Sequence, residues 1–324
     1  MSLDNIFNAF NQLKIIIVGD VMIDSYIWGS VERISPEAPV PVVNVRKQER
    51  RLGGAANVAL NVQALGAMPI LCSVIGKDED ATHFNNLLQQ QNMPTKGLIS
   101  SNTRVTTVKH RILAGSQQLL RVDSETDKPI TKEESASLVA KIKELAAEVD
   151  AIIFEDYDKG VLTAENIAEI IDFANTNHIP TIVDPKKRNF WHYKKSTLFK
   201  PNLKELREGL KLDIDIHKNL PEAVEQFRQE MQIATSLITL SEFGVYIANA
   251  QEQHRLAAHK REIADVSGAG DTVVSIAALC TALKLDLQTT AMLANLGGGL
   301  VCEYLGVVPI DKEKLLNEAR KLAF

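Results

Sequence analysis

With 324 residues, 45% of them hydrophobic and 24% charged, the chain has enough apolar material for a sizeable buried core, arranged as one large α/β domain or as two. Its 36 Lys and Arg against 41 Asp and Glu give a net charge of −5, which argues against a nucleic-acid partner, although a small anionic substrate needs only a local basic pocket. No apolar run reaches the roughly 18 residues of a membrane-spanning helix, no basic leader opens the sequence, and Cys72, Cys280 and Cys302 stand far apart. The expectation is a cytoplasmic protein with no membrane partner and with buried, unpaired thiols.

In chain order, the apolar run Lys14–Gly19 predicts a buried strand. Gly54–Leu65 has helical periodicity and stops at Gly66. Pro69–Ile75 reads as a strand and Glu79–Gln91 as a polar helix. After Asp150 the alternation is regular: strand Ala151–Phe154, helix Thr163–Asn175, strand Pro180–Val183, helix Asn202–Leu210, helix Leu220–Met231, strand Ser236–Leu240. Long helices run from Gly268 onward, the last over Asp311–Ala323. Strands alternating with helices imply crossover units, a mostly parallel sheet and helices on both faces. Val40–Val45 and Val105–Val122 break the rhythm and read as extra antiparallel strands of a small separate sheet, bounded at about 26–48 and 105–123. No repeat, low-complexity tract or long linker interrupts the chain, so residues 1–324 are read as a single domain with that sheet as a lid.

The stretch richest in chemistry is Asp265-Val-Ser-Gly-Ala-Gly-Asp271, followed by the apolar run Val273–Leu283. Ser267 is a natural helix N-cap. Gly268, Ala269 and Gly270 let backbone amides approach a ligand, and a helix starting there aims free N–H groups and its positive dipole end at one point, an anion hole suited to a transferring phosphoryl group. Asp271 sits beside it and can accept a proton from a substrate hydroxyl; the dipole would keep it ionised, and a weak base suffices for phosphoryl transfer. A short glycine motif alone caps a helix about as often as it does chemistry. No P-loop and no zinc-type Cys/His cluster is present. Gly53-Gly54-Ala55-Ala56-Asn57 also opens a helix, and Asn57 offers a donor and an acceptor to a sugar hydroxyl; close helix–sheet packing asks for the same small residues. Asp20 and Asp24 follow the first strand, where open α/β sheets place ligands, and either can grip hydroxyls.

Together these motifs resemble the ribokinase-like (PfkB) carbohydrate kinases, and the resemblance runs along about the whole chain. One family signature is matched by Gly53–Asn57, continuing to Leu65-Gly66 and Ile75-Gly76-Lys77-Asp78. The other is matched by Asp265–Asp271, with Val266 in place of Thr. Asn202-Leu-Lys-Glu205 looks like the element that organises Mg²⁺ and its waters, Thr239-Leu-Ser-Glu-Phe-Gly244 like the strand-end turn at the ATP phosphates, and Asn295 like the residue near adenine. A narrower resemblance is to the D-glycero-β-D-manno-heptose 7-phosphate 1-kinases. It rests on Gly19–Asp24, Arg33–Val42, Lys109-His-Arg111, Gln117–Asp123, Asp156-Tyr-Asp-Lys-Gly160, Asp184-Pro-Lys186 and Thr239–Glu242. Many of those relatives are fused to a nucleotidyltransferase, an activity not expected here after the last predicted helix. Asp158 stands where relatives often have a small residue, and Leu305–Val308 departs from a Gly/Ser/Thr-richer segment, which weakens the expectation of a family-type monovalent cation site.

The resemblance implies an ATP- and Mg²⁺-dependent sugar kinase with a ribokinase-like α/β fold and a β-sheet lid, acting on the anomeric hydroxyl of the heptose 7-phosphate in ADP-heptose and lipopolysaccharide core synthesis. Asp271 is then the base and Gly268, Ala269 and Gly270 the anion hole. Asp24, Gly53, Gly54 and Asn57 hold sugar hydroxyls. Asn202, Thr239, Ser241, Glu242, Gly244, Gly268, Gly270 and Asn295 bind ATP. Asn202, Glu205 and Asp184 place Mg²⁺ through water. Lys109 and Arg111, two apart on a predicted strand and hence on one face, are candidates for the substrate phosphate, with Lys159 and Lys186 as alternatives; each taken singly can equally be a solvated surface charge. A homodimer that covers the exposed lid strands is the candidate assembly. Two other readings are another PfkB sugar kinase, using ribose, fructose or a sugar phosphate, and a non-catalytic sugar-sensing module. The second would be marked by loss of the base or of the glycines, all of which are intact.

Overall fold

The computed structural model describes residues 1–115, 117–259 and 261–322. Among them a nine-stranded sheet forms the centre. In spatial order it runs β13 (Gln253–Leu256), β12 (Val245–Ala248), β11 (Thr235–Thr239), β10 (Leu198–Phe199), β9 (Thr181–Asp184), β8 (Ala151–Glu155), β1 (Lys14–Gly19), β4 (Met68–Gly76) and β5 (Leu98–Ser101). From β11 to β5 all neighbours are parallel; β12 and β13 add an antiparallel hairpin at one edge.

The apolar runs are continuous because both sheet faces are covered. In β1 the two-residue period divides the side chains: Ile15 and Ile17 enter one core, Ile16 and Val18 the other. The first core is closed by α1 (Leu3–Phe10), α2 (Ala55–Ala64), α3 (Glu79–Gln90), α8 (Ala269–Ala282), α9 (Leu287–Val301) and α10 (Lys312–Lys321). The second is closed by α4 (Lys132–Leu145), α5 (Ala164–Thr176), α6 (Leu203–Leu210) and α7 (Leu220–Met231). All three cysteines are buried and unpaired, and burial pushes the Cys72 and Cys280 thiols up to about 12.

A second, four-stranded sheet stands apart, in the order β3 (Pro41–Gly54), β2 (Val21–Ile34), β6 (Val108–Ala114) and β7 (Gln117–Ser124). It is longer than the sequence suggests: β2 begins at Val21, buried, and runs outward to exposed residues at Ile34. The expected antiparallel arrangement holds for β2/β3 and β6/β7 but not for β2/β6, which pair in parallel. The chain between them crosses through α2, β4, α3 and β5, so β6 returns in the direction of β2. Residues 105–107 precede the strand. The outer part leaves Ile34, Val45, Leu120 and Val122 exposed.

The periodic segments after Asp150 form where expected, with ends shifted by a residue or two. α1, α4 and the β12–β13 hairpin were not anticipated, although α4 carries a legible capping box of Thr131 and Glu134. Of the predicted segments, Ser116 in the second lid stretch and Ala323 in the last helix lie outside the described residues.

Candidate active site

The C-terminal ends of β8 and β9 meet the start of α8. The helix does not begin with a Ser267 cap. Ser267 turns its hydroxyl and its amide to Asp265 Oδ1, at 2.8 and 3.0 Å, and Asp265 Oδ2 accepts the Gly306 amide at 2.9 Å. The N-cap is Gly268 with φ +81°, a left-handed entry that glycine adopts without steric cost, and no side chain caps the helix. Of the three expected anion-hole residues, Ala269 already donates its amide to the Val266 carbonyl at 3.3 Å.

Asp271, in the first turn, is 6% exposed. Asn57 Nδ2 donates to its Oδ2 at 2.6 Å and the Tyr157 hydroxyl to its Oδ1 at 2.9 Å. Burial raises the carboxyl above the usual range; the Asn57 bond opposes this, the nearby Asp184 charge adds to it, and the Tyr157 bond opposes it again. The helix dipole favours the ionised carboxylate, and desolvation acts against it. Tyr157 is pushed well above the ordinary phenol range by burial and by the Asp271 charge, so it remains a donor. A carboxylate clamped by two donors keeps free lone-pair positions and can accept a proton from a third group.

Asn57 is fully buried and turned to Asp271, leaving its Oδ1 without a protein partner. Asp20 does not face ligand. It accepts the amides of Tyr157, Lys159 and Val161 at 2.9, 3.0 and 3.1 Å, and so fixes the turn after β8. Burial and the neighbouring Asp156 push Asp20 up to about 6 against those three bonds.

One oxygen each from Glu155 at the end of β8, Asp184 at the end of β9 and Asp271 lies within 4.8 Å of the others. Glu155 Oε2 and Asp184 Oδ1 are buried without a hydrogen-bond partner. Burial, then Asp184 and Asp271, hold Glu155 well above the carboxylate range. Lys200, just past β10, is 3% exposed and donates to Asp184 Oδ2 at 2.5 Å and to the Gly270 carbonyl at 3.4 Å. Burial opposes its charge, but Asp184 leads the carboxylates that outweigh it and raise its pKa. Converging carboxylates with orphaned oxygens fit a hard divalent cation.

The structure includes Asp184 in this group but not Asn202 or Glu205. Those two form the capping box of α6: Asn202 Oδ1 accepts the Glu205 amide and Glu205 Oε2 the Asn202 amide, both at 2.8 Å. Glu205 Oε1 accepts Lys186 Nζ at 2.6 Å, and that ammonium lies 3.7 Å from Asp184 Oδ1. Lys186 thus sits with the metal-type carboxylates.

At the root of the small sheet, Asp24 is buried and ion-paired with Arg111. Gly53 lies so close that a Cβ there would stand 2.2 Å from Asp24 Oδ2. Gly54, with φ +59°, is the N-cap of α2. Lys109 Nζ is 3.0 Å from Glu125 Oε2 and 3.5 Å from Asp123 Oδ2, and Lys159 Nζ is 2.6 Å from Glu125 Oε1. Thr239, Ser241, Glu242, Gly244, Ala269, Gly270 and Asn295 line a cleft of about 580 Å³ together with His259, Arg261 and Val266, a size suited to a small-molecule ligand. Asn202 and Gly268 are not among its lining residues. Asn295 Nδ2 donates to the Ala257 carbonyl at 2.8 Å. Glu155 and Lys200 are not singled out by the sequence, and Tyr157 enters there only within the Asp156–Gly160 motif, with no role; the signal for all three is a position at the C-terminal end of a strand, where Phe154-Glu-Asp-Tyr157 and Lys200-Pro-Asn202 place them.

A model of the pfkB family carbohydrate kinases matches residues 12–314. The chain is 40% identical over 302 residues to the bifunctional protein HldE of Helicobacter pylori strain P12, covering 93% of this chain and 66% of that protein. It is likewise 40% identical over 292 residues to the protein of that name from Wolinella succinogenes, covering 90% and 61%. It therefore spans somewhat less than two thirds of the length of these relatives. Phosphofructokinase-2 from Escherichia coli in complex with potassium superposes with a TM-score of 0.81 at 16% identity, covering 96% of this chain and 99% of that one. Ribokinase from Arabidopsis thaliana complexed with ribose and ATP gives 0.72 at 14% identity, covering 94% and 98%. The fold is ribokinase-like.

Proposed function

Because the chain belongs to the pfkB family of carbohydrate kinases, and is thus an ATP-dependent sugar kinase, we propose that its acceptor is the anomeric hydroxyl of D-glycero-β-D-manno-heptose 7-phosphate, giving the 1,7-bisphosphate on the route to ADP-heptose. The heptose motifs in the sequence and the 40% identity to the HldE proteins support this substrate. The chemistry is carried by one observation: Asp271, at the mouth of α8, held by Asn57 and Tyr157. Asp271 takes the proton as the sugar oxygen bonds to the γ-phosphorus and the bridging oxygen of ADP leaves. A carboxylate raised by burial is a better base than a free one. Gly268 and Gly270 with the first turn of α8 supply amides and the dipole end to the phosphoryl group. Asp24, Gly53 and Gly54 hold hydroxyls, and Thr239, Ser241, Glu242, Gly244 and Asn295 hold the nucleotide.

Mg²⁺, when bound, neutralises charge on the β- and γ-phosphates. Glu155 and Asp184 would hold it, with Glu205 acting through Lys186. The residues for the 7-phosphate are Lys109, Arg111 and Lys159; Lys186 belongs with the nucleotide and metal. The small sheet is the lid, and its exposed apolar residues are the surface a homodimer would cover.

The test is steady-state kinase kinetics with ATP, comparing the heptose 7-phosphate with the unphosphorylated heptose, ribose and fructose 6-phosphate. The heptose 7-phosphate should give the highest kcat/KM. Preference for another sugar would reassign the acceptor within the family, and no transfer to any sugar would remove the catalytic reading of Asp271.

A further inference from the structure

Lys109 and Lys159 come from different parts of the fold, β6 and the turn after β8, yet both ammonium groups close on one carboxylate. Lys159 Nζ holds Glu125 Oε1 at 2.6 Å and Lys109 Nζ holds Oε2 at 3.0 Å. Neither is a solvated surface charge: the lysine side chains are 17% and 11% exposed. The other neighbouring carboxylate, Asp123, accepts Arg121 at 2.8 and 2.6 Å and Lys109 only at 3.5 Å. Three cations, Lys109, Lys159 and Arg121, therefore share two carboxylates, and the cradle carries a surplus positive charge.

The backbone that carries each cation is tied into the fold, whereas the backbone that carries the carboxylate lies outside the ladder. Lys109 is held in the sheet between β2 and β7, opposite Asp24 and Asp123. Lys159 is pinned through its backbone: its amide donates to Asp20 Oδ2 at 3.0 Å and its carbonyl accepts Arg104 Nη2 at 2.7 Å. Glu125 is the first residue beyond β7, in a stretch without regular structure, so it can swing out without breaking a ladder bond. The cradle also adjoins both ends of the proposed sugar site. Lys109 is the register partner of Asp24, and Lys159 lies two residues beyond Tyr157, which holds Asp271.

We propose that Glu125 is a built-in stand-in for the phosphate of the substrate, keeping Lys109 and Lys159 aligned until a phosphomonoester displaces it. This rests on the reading of the substrate as a phosphorylated sugar. A phosphomonoester carries close to two negative charges near neutral pH and so matches two ammonium groups where a carboxylate matches one. A neutral sugar cannot make that exchange. Glu125 thus tunes selectivity for phosphorylated acceptors by competing for their site.

The test is calorimetric titration of the whole chain with inorganic phosphate as the probe. Relative to wild type, Glu125→Gln should bind phosphate about tenfold more tightly, because the competing charge is gone while the shape is kept. The double variant Glu125→Gln/Lys109→Ala should lose that gain. Unchanged or weaker phosphate binding by Glu125→Gln, with or without a fall in melting temperature, would overturn the proposal and mark Glu125 as a structural ion pair. A gain that survives removal of Lys109 would overturn it too. The parallel kinetic comparison of phosphorylated with unphosphorylated heptose in wild type judges the substrate assignment separately, since a preference for the neutral sugar there removes the assignment whatever the titration shows.

Discussion

Tyr157 and Asp271 are 114 positions apart in sequence, and the phenol donates to the carboxylate at 2.9 Å. Because that bond favours the ionised form, it lowers the pKa of Asp271 against the effect of burial. In Tyr157→Phe the pKa should therefore rise, and the acid limb of the kcat/KM profile should move to higher pH. kcat should fall roughly tenfold, the scale of one hydrogen bond to a charged acceptor. A pH–rate series on both enzymes checks this. A uniform loss with no movement of the limb would assign Tyr157 to packing alone.

Asp271→Asn removes the proposed base and also replaces one of two accepting oxygens, Oδ2 facing Asn57 Nδ2 or Oδ1 facing the Tyr157 hydroxyl, by an NH2 group. The expected result is a loss in kcat of at least about 10²-fold, with a lower melting temperature and retained ATP affinity. Single-turnover kinetics and a nucleotide titration measure the two effects separately. Near-normal turnover would take Asp271 out of the chemistry.

The metal reading distinguishes two carboxylates. Glu155→Gln removes an orphaned oxygen from the Glu155–Asp184–Asp271 group and should raise the Mn²⁺ dissociation constant about tenfold, the usual scale for a lost ligand or its support. Glu205→Gln can keep the capping bond to Asn202 but releases Lys186 towards Asp184. It should shift the Mg²⁺ titration to higher concentration through the freed cation. Restoration by Glu205→Gln/Lys186→Met is the measurement that tells this indirect route from direct ligation.

Asp20→Ala leaves three amides, one buried and two part-buried, without their acceptor. At about 1–3 kcal/mol for each unsatisfied group, less what water recovers, the loss should be several kcal/mol. Because the same turn carries Tyr157 and Lys159, turnover and phosphate binding should fall together. Urea denaturation alongside kinetics would show it; a fall in only one of the three quantities would argue that the turn is not a single unit.

Much of this protein is legible in local chemistry. The alternation Ile15/Ile17 against Ile16/Val18 announces a strand between two cores, and the helix periodicities after Asp150 place their elements to within a residue or two. Gly53–Asn57 and Asp265–Asp271 mark the two turns that reach the site, since a turn or a helix start depends on a handful of adjacent residues. Even there a local rule was overridden: Ser267 could have capped α8, but Asp265 engages it and Gly268 takes the cap.

What only the tertiary structure decided is which groups meet. Asn57 reaches Asp271 across 214 positions, Lys200 reaches Gly270 across 70, and Glu155 joins Asp184 because β8 and β9 are neighbours in register. No periodicity or spacing carries that information. The strand order β10–β9–β8–β1 brings the C-terminal ends of separate strands to one edge, and burial there changes what their charges cost. The sequence alone therefore marked the candidate chemical parts and the fold that holds them, while the partners of each part, and with them the upward shift of the Asp271 and Glu155 carboxyls, follow from the packing of distant strands against α8.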